Sequence, residues 1–199
     1  MKVRTACLYG IVFLTAGLCL DGCTKEQKES CLTIKKSGAV THRIVEDFEE
    51  ENYNLDELRA MTDEEIEIFY DQSEGKGEVE LTQIKESDGK LTMVMDYDSV
   101  EAYNEFNETA LFFGTIEEAL KQNDKNYFSD ENFIQAKNNA QVKTEDVIKD
   151  TSLSAVIFEE SVLYELDKKI LYYSENVEII SGKCARLKDS EKGPGYLIY

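Results

Sequence analysis

Apolar and polar positions along this chain repeat with two different periods, and each period predicts its own kind of element. Between residues 90 and 97 the period is two. Leu91, Met93, Met95 and Tyr97 alternate with Thr92, Val94 and Asp96, which predicts a strand with one buried face. Residues 79–86 and 90–97 flank Ser87-Asp88-Gly89, a turn sequence that predicts a hairpin. Between residues 55 and 70 the period is helical. Leu55, Leu58, Ile66 and Phe69 share one face, and Asn54 with Glu57 makes a capping box. One helix over 55–70 fits. Thr62 with Glu65 forms a second box, so two shorter helices fit as well. Gly75 and Gly77 end the segment.

The remaining elements are shorter. Residues 32–48 read as two strands around a turn at Ser37-Gly38. Asp98 and Glu101 predict the cap of a short helix carrying Val100, Tyr103 and Phe106. Residues 110–113 read as a brief buried strand. Thr115, capping with Glu118, then starts a helix that turns Ile116, Ala119 and Leu120 inward. Residues 123–143 show no period and read as a long loop anchored by Phe128 and Phe133, followed by a helical turn at 144–149. The tail is strand-rich, with runs at 153–158, 162–166, 169–173, 177–180, 183–187 and 196–199 and a turn at Asp167-Lys168. Their close spacing predicts antiparallel meanders. The fold class expected is α+β: antiparallel sheet with a few packed helices, strand-rich in its C-terminal part, as a single domain over 31–199.

The start of the chain follows a different rule. Lys2 and Arg4 precede an uncharged apolar run at residues 8–20 (LYGIVFLTAGLCL), the parts of a secretory signal. The run is shorter than the ~20 residues that a membrane-spanning helix needs. Leu20-Asp21-Gly22-Cys23 follows, and it resembles the lipobox of bacterial lipoproteins. That resemblance implies cleavage between Gly22 and Cys23 and diacylglycerol on Cys23, making the membrane the chain's first partner. Asp21 departs from the pattern, which has a small or neutral residue there. Cys19 fits less well, because Leu18 precedes it. An ordinary secreted or uncleaved leader is the alternative. Several acyl chains hold a protein stably where one does not. Residues 24–30 (TKEQKES) are polar throughout and read, with Cys23, as a tether that spans about 25 Å when extended. The expected address is the outer face of the cytoplasmic membrane.

Charge narrows the partners. Forty-one acidic residues against 22 basic ones give a net charge of −19. Nucleic-acid binding needs clustered cations, so that class is excluded. One proline in 199 residues excludes proline-rich linkers. With the lipobox, the segments LDELRAMTDEEIEIFY, VELTQIKESDGKLTMVMDY, LFFGTIEEAL, KKILYYSENVEIISGKCARL and GPGYLIY are similar to uncharacterised lipoproteins of clostridial-type Gram-positive bacteria. The resemblance implies the address and a single α+β domain, and carries no activity with it.

Candidate chemistry is sparse. The one histidine, His42, lies in a predicted strand with no nucleophile motif beside it. No metal-binding C-x-x-C, Walker or dinucleotide pattern occurs between residues 23 and 199, and no cofactor is expected. Cys31 and Cys184 would either form one disulfide closing a loop of ~150 residues or stay as two buried thiols. For calcium, Asp124, Asn126 and Asp130, with Glu131, start like a ligand loop. Ser129 and Gln135 stand where the loop's glycine and glutamate belong. Glu46, Asp47, Glu49, Glu50 and Glu51 form a charge run without evident geometry. Tyr164, Tyr172, Tyr173, Tyr196 and Tyr199 gather in the tail, either as an exposed row for a glycan or protein or as half-buried sheet packing. The function expected is a non-enzymatic, membrane-tethered module that contacts an envelope protein or cell wall component. A small-ligand or calcium binder accessory to a solute receptor is the alternative, and a hydrolase using scattered carboxylates ranks third.

Overall fold

The computed structural model describes residues 29–48, 54–72, 77–122, 124–129, 132–188 and 190–199. The leader, Cys23 and most of the expected tether lie outside them, as do Glu49, Glu50, Glu51, Asp130 and Glu131. The fold is α+β, with thirteen strands and four helices among the described residues.

Two sheets carry the strands. The first contains β1 (Cys31–Ile34), β2 (Val40–Asp47), β3 (Val79–Ser87), β4 (Lys90–Tyr97), β9 (Leu163–Leu166), β11 (Val177–Ile179) and β12 (Cys184–Leu187). Their order is β11-β12-β9-β1-β2-β4-β3. The second contains β5 (Phe112–Thr115), β6 (Asn132–Gln135), β7 (Ala140–Lys143), β8 (Ser154–Phe158), β10 (Tyr172–Ser174) and β13 (Gly195–Ile198), in the order β5-β8-β13-β10-β6-β7. Alternation decides which side chains meet between them. Leu32, Val40, Met95, Tyr164 and Ala185 of the first sheet share one core with Val156, Phe158 and Leu197 of the second. The far face of the second sheet is also covered. Ala155, Ile157, Tyr196 and Ile198 pack there with residues of α3 (Ile116–Lys121) and α4 (Thr144–Val147). Strands buried on both faces explain why the tail reads as near-continuous apolar runs.

The predicted hairpin is β3–β4, closed by Asp88 and Gly89 with φ of 54° and 71°. Both positive angles make it the type I′ turn that Asp-Gly favours. Residues 55–72 form one helix, α1 (Leu55–Gln72). Asn54 Oδ1 accepts from the Asp56 N–H at 2.8 Å. Thr62 donates its hydroxyl to the Leu58 carbonyl at 2.9 Å, inside the helix, so it starts no second one. At α2 (Val100–Asn107) the cap is Ser99, which accepts from Ala102 N–H, not the expected Asp98. The Thr115–Glu118 capping box of α3 forms in both halves.

Two expectations are corrected. The loop expected at 123–143 contains the antiparallel hairpin β6–β7. The tail is not a meander: its strands divide between the two sheets, and β9 lies parallel to β1. Of the two arrangements left open for Cys31 and Cys184, the structure has the buried thiols and not the disulfide. β9 runs between their strands, pairing with each. Two strand spacings are roughly 9.5 Å, beyond the ~7 Å that a disulfide tolerates between Cα atoms.

Candidate functional site

The connection from α2 to β5 and the connection from β8 to β9 lie side by side. Each connection contributes a wall to a hollow of about 330 Å³. One wall is the Glu108–Leu111 segment, and the other is Phe158, Glu160 and Tyr164 with their neighbour Glu159. The first wall is held by one side chain. Asn104 Nδ2 donates to the Leu111 carbonyl at 2.7 Å. Its Oδ1 accepts from the Leu111 N–H and the Thr109 hydroxyl, both at 2.9 Å. Glu108 turns the chain out of α2 in the left-handed region, at φ 53°. A second hollow, of about 490 Å³, lies beyond the same segment, where Phe113, Lys125 and Tyr127 help line it.

Tyr164, in the wall of the first hollow, shares its core with two more phenols, Tyr97 and Tyr103, and His42 lies against Tyr103. Tyr103 donates its hydroxyl to Glu160 Oε2 at 2.8 Å. Its ring meets Tyr97 edge-on at 5.1 Å and His42 edge-on at 5.8 Å. Tyr164 lies 4.0 Å from Phe158, ring centre to ring centre. That stack uses space left by Gly195, where a Cβ would come within 2.7 Å of the Phe158 ring. Tyr164 is 0% exposed, and its hydroxyl finds no hydrogen-bonding group of the protein. His42 Nδ1 is buried and unmatched in the same way.

Burial sets the protonation states. It pushes Tyr97 up to about 12, and the Glu160 charge adds to the effect. Tyr103 and Tyr164 are raised well above the usual tyrosine range, first by burial and then by Glu160. Burial lowers His42 to about 4. At neutral pH these buried phenols and the imidazole are therefore neutral. Of the four rings only Tyr164 lines the hollow, together with Glu160.

The expected site residues fall differently. Asp124 and Asn126 are exposed in the turn before β6, and Asp130 lies outside the described residues. Among the described residues no group of three or more histidine, cysteine or acidic side chains is placed to hold a metal ion. Asp47 at the end of β2 pairs with Lys90 at 2.5 Å. The tyrosine row does not stand at the surface: Tyr164, Tyr173, Tyr196 and Tyr199 are buried, and Tyr172 packs against the second core. Sequence reasoning missed Asn104, Tyr103 and Glu160 as site residues. None sits in a recognisable motif, and Glu160 is one acidic residue among 41.

Fold and site together define a two-sheet α+β domain with a small pocket that is acidic at its rim and aromatic within. No family model, curated protein or solved structure matches the chain. Among the described residues no helix is long and apolar enough to cross a membrane.

Proposed function

We propose that this chain is a lipid-anchored extracytoplasmic module, non-enzymatic, that binds a small ligand in the hollow bounded by Leu111, Phe158, Glu160 and Tyr164. One observation supports the pocket: Tyr164 lines it, and the buried hydroxyl of that residue has no hydrogen-bonding partner among the described residues. A buried polar group left unmatched costs about 1–3 kcal/mol, and a phenylalanine would avoid that cost. A guest that hydrogen bonds the hydroxyl recovers it. The volume is at the lower end of small-molecule sites. The address rests on the signal-like leader and the Leu20–Cys23 sequence, and the clostridial-type resemblance points the same way. Burial of the tail tyrosines removes one candidate surface for a protein or cell wall partner, while the hollow offers room for a small ligand.

Two comparisons test this. Cys23→Ser is expected to move the protein from the membrane fraction to the soluble one; retention in membranes would refute the anchor. A fragment screen by ligand-observed NMR, run on the mature protein in detergent, is expected to give hits that Ala110→Trp abolishes. Ala110 is exposed and lines both hollows, so the larger ring blocks them without entering the core. Equal hits on both proteins, or none on either, would refute the pocket.

A further inference from the structure

We infer that the pocket selects an organic ammonium ion: a short apolar body carrying a protonated amine, which Glu160 and the Tyr164 hydroxyl hold. The inference rests on the binding function proposed above.

The charge of the lining comes first. Glu108, Glu159 and Glu160 are three of its residues, and none of the lining residues is basic. An anionic guest is repelled at the rim. Glu160 receives the Tyr103 hydroxyl on Oε2, so it is held in place with acceptor capacity left on Oε1. A charge-assisted hydrogen bond to such a carboxylate is about twice as strong as a neutral one.

The second observation is independent of the acidic residues. Tyr164 is completely buried, lines the hollow, and has no protein partner for its oxygen. An amine head carries several N–H donors, enough for Glu160 and the phenol oxygen together. A bare metal ion is a poorer guest, because the described residues assemble no ligand set. The rest of the lining suits the body of the guest. Phe158, Ala110 and Leu111 offer apolar contact, and the Phe158–Tyr164 stack gives an aromatic wall. An ammonium near an aromatic ring gains further attraction from the ring's negative face.

The test uses three probes of one size: n-butylammonium, n-butanol and butyrate. Each is titrated into the mature protein in detergent, and NMR shifts of Leu111, Phe158 and Tyr164 are followed. Butylammonium is expected to shift these residues saturably, at least tenfold more tightly than butanol, with no binding of butyrate. Glu160→Gln is expected to weaken butylammonium about ten- to a hundredfold, the range for a hydrogen bond to a charged group. Tyr164→Phe should weaken it several-fold while leaving the fold intact. Butanol binding as tightly as butylammonium would overturn the ammonium inference and leave the pocket standing. If no probe shifts these residues, or butylammonium shifts only surface acidic residues, both fall.

Discussion

Tyr164 stands where folding and binding ask for different things. Its ring completes the core between the sheets, while its hydroxyl gains nothing from the folded protein. Tyr164→Phe is therefore expected to stabilise the ligand-free protein by about 1 kcal/mol, measured by urea unfolding. A loss of similar size would show that the hydroxyl is matched after all. His42 makes a second case. Its folded value, about 4, lies below the ordinary 6.5. The unfolded chain accordingly takes up a proton that the folded chain refuses. Stability from the neutral ring is complete above about pH 6.5 and declines as pH falls toward 4. Linkage puts the loss at about 2 kcal/mol between pH 7 and pH 5. His42→Leu should remove that part of the pH dependence; parallel profiles for both proteins would contradict it.

At the level of elements, Asn104 supports the pocket. Its side chain makes three hydrogen bonds to the segment that forms one wall. Asn104→Ala leaves the backbone of buried Leu111 unmatched, and is expected to cost about 2–3 kcal/mol and to weaken pocket binding together with stability. Unchanged stability would mean that the segment is held by other contacts. Elements differed in how legible they were. β3–β4 was plain because β4 alternates along its whole length after an Asp-Gly turn, although a bulge between Leu81 and Gln83 breaks the period in β3. β6 and β7 were not, because four-residue strands give each face only two positions. Phe133 and Val142 point to the second core, while Asn132, Ala140, Gln141 and Lys143 are exposed, so no period registers. The cap of α2 was misplaced because Asp98 and Ser99 are both good capping residues, and backbone geometry chooses between them.

For the whole molecule, pairing across long sequence distances was the hidden part. β1 and β9 lie side by side although more than a hundred residues separate them, and nothing local marks that pairing. The same pairing places β9 between Cys31 and Cys184, and it brings Tyr164 into register with Leu32. The pocket was hidden for the same reason: α2, β9 and the connections around them each supply one part, and no segment holds two complementary groups in a motif. The α+β class was legible because it depends only on the kinds and order of elements. The leader and Leu20–Cys23 are local too, and they carry the proposed address without help from the fold.

The measurement closest to the central claim is native mass spectrometry of the protein extracted from its own membranes in mild detergent, beside its Ala110→Trp variant. The expected spectrum shows a lipidated chain beginning at Cys23, with an added small mass in the wild type that is absent from the variant. A bare polypeptide in both, or the same added mass on both, would contradict a tethered module that carries its ligand in this pocket.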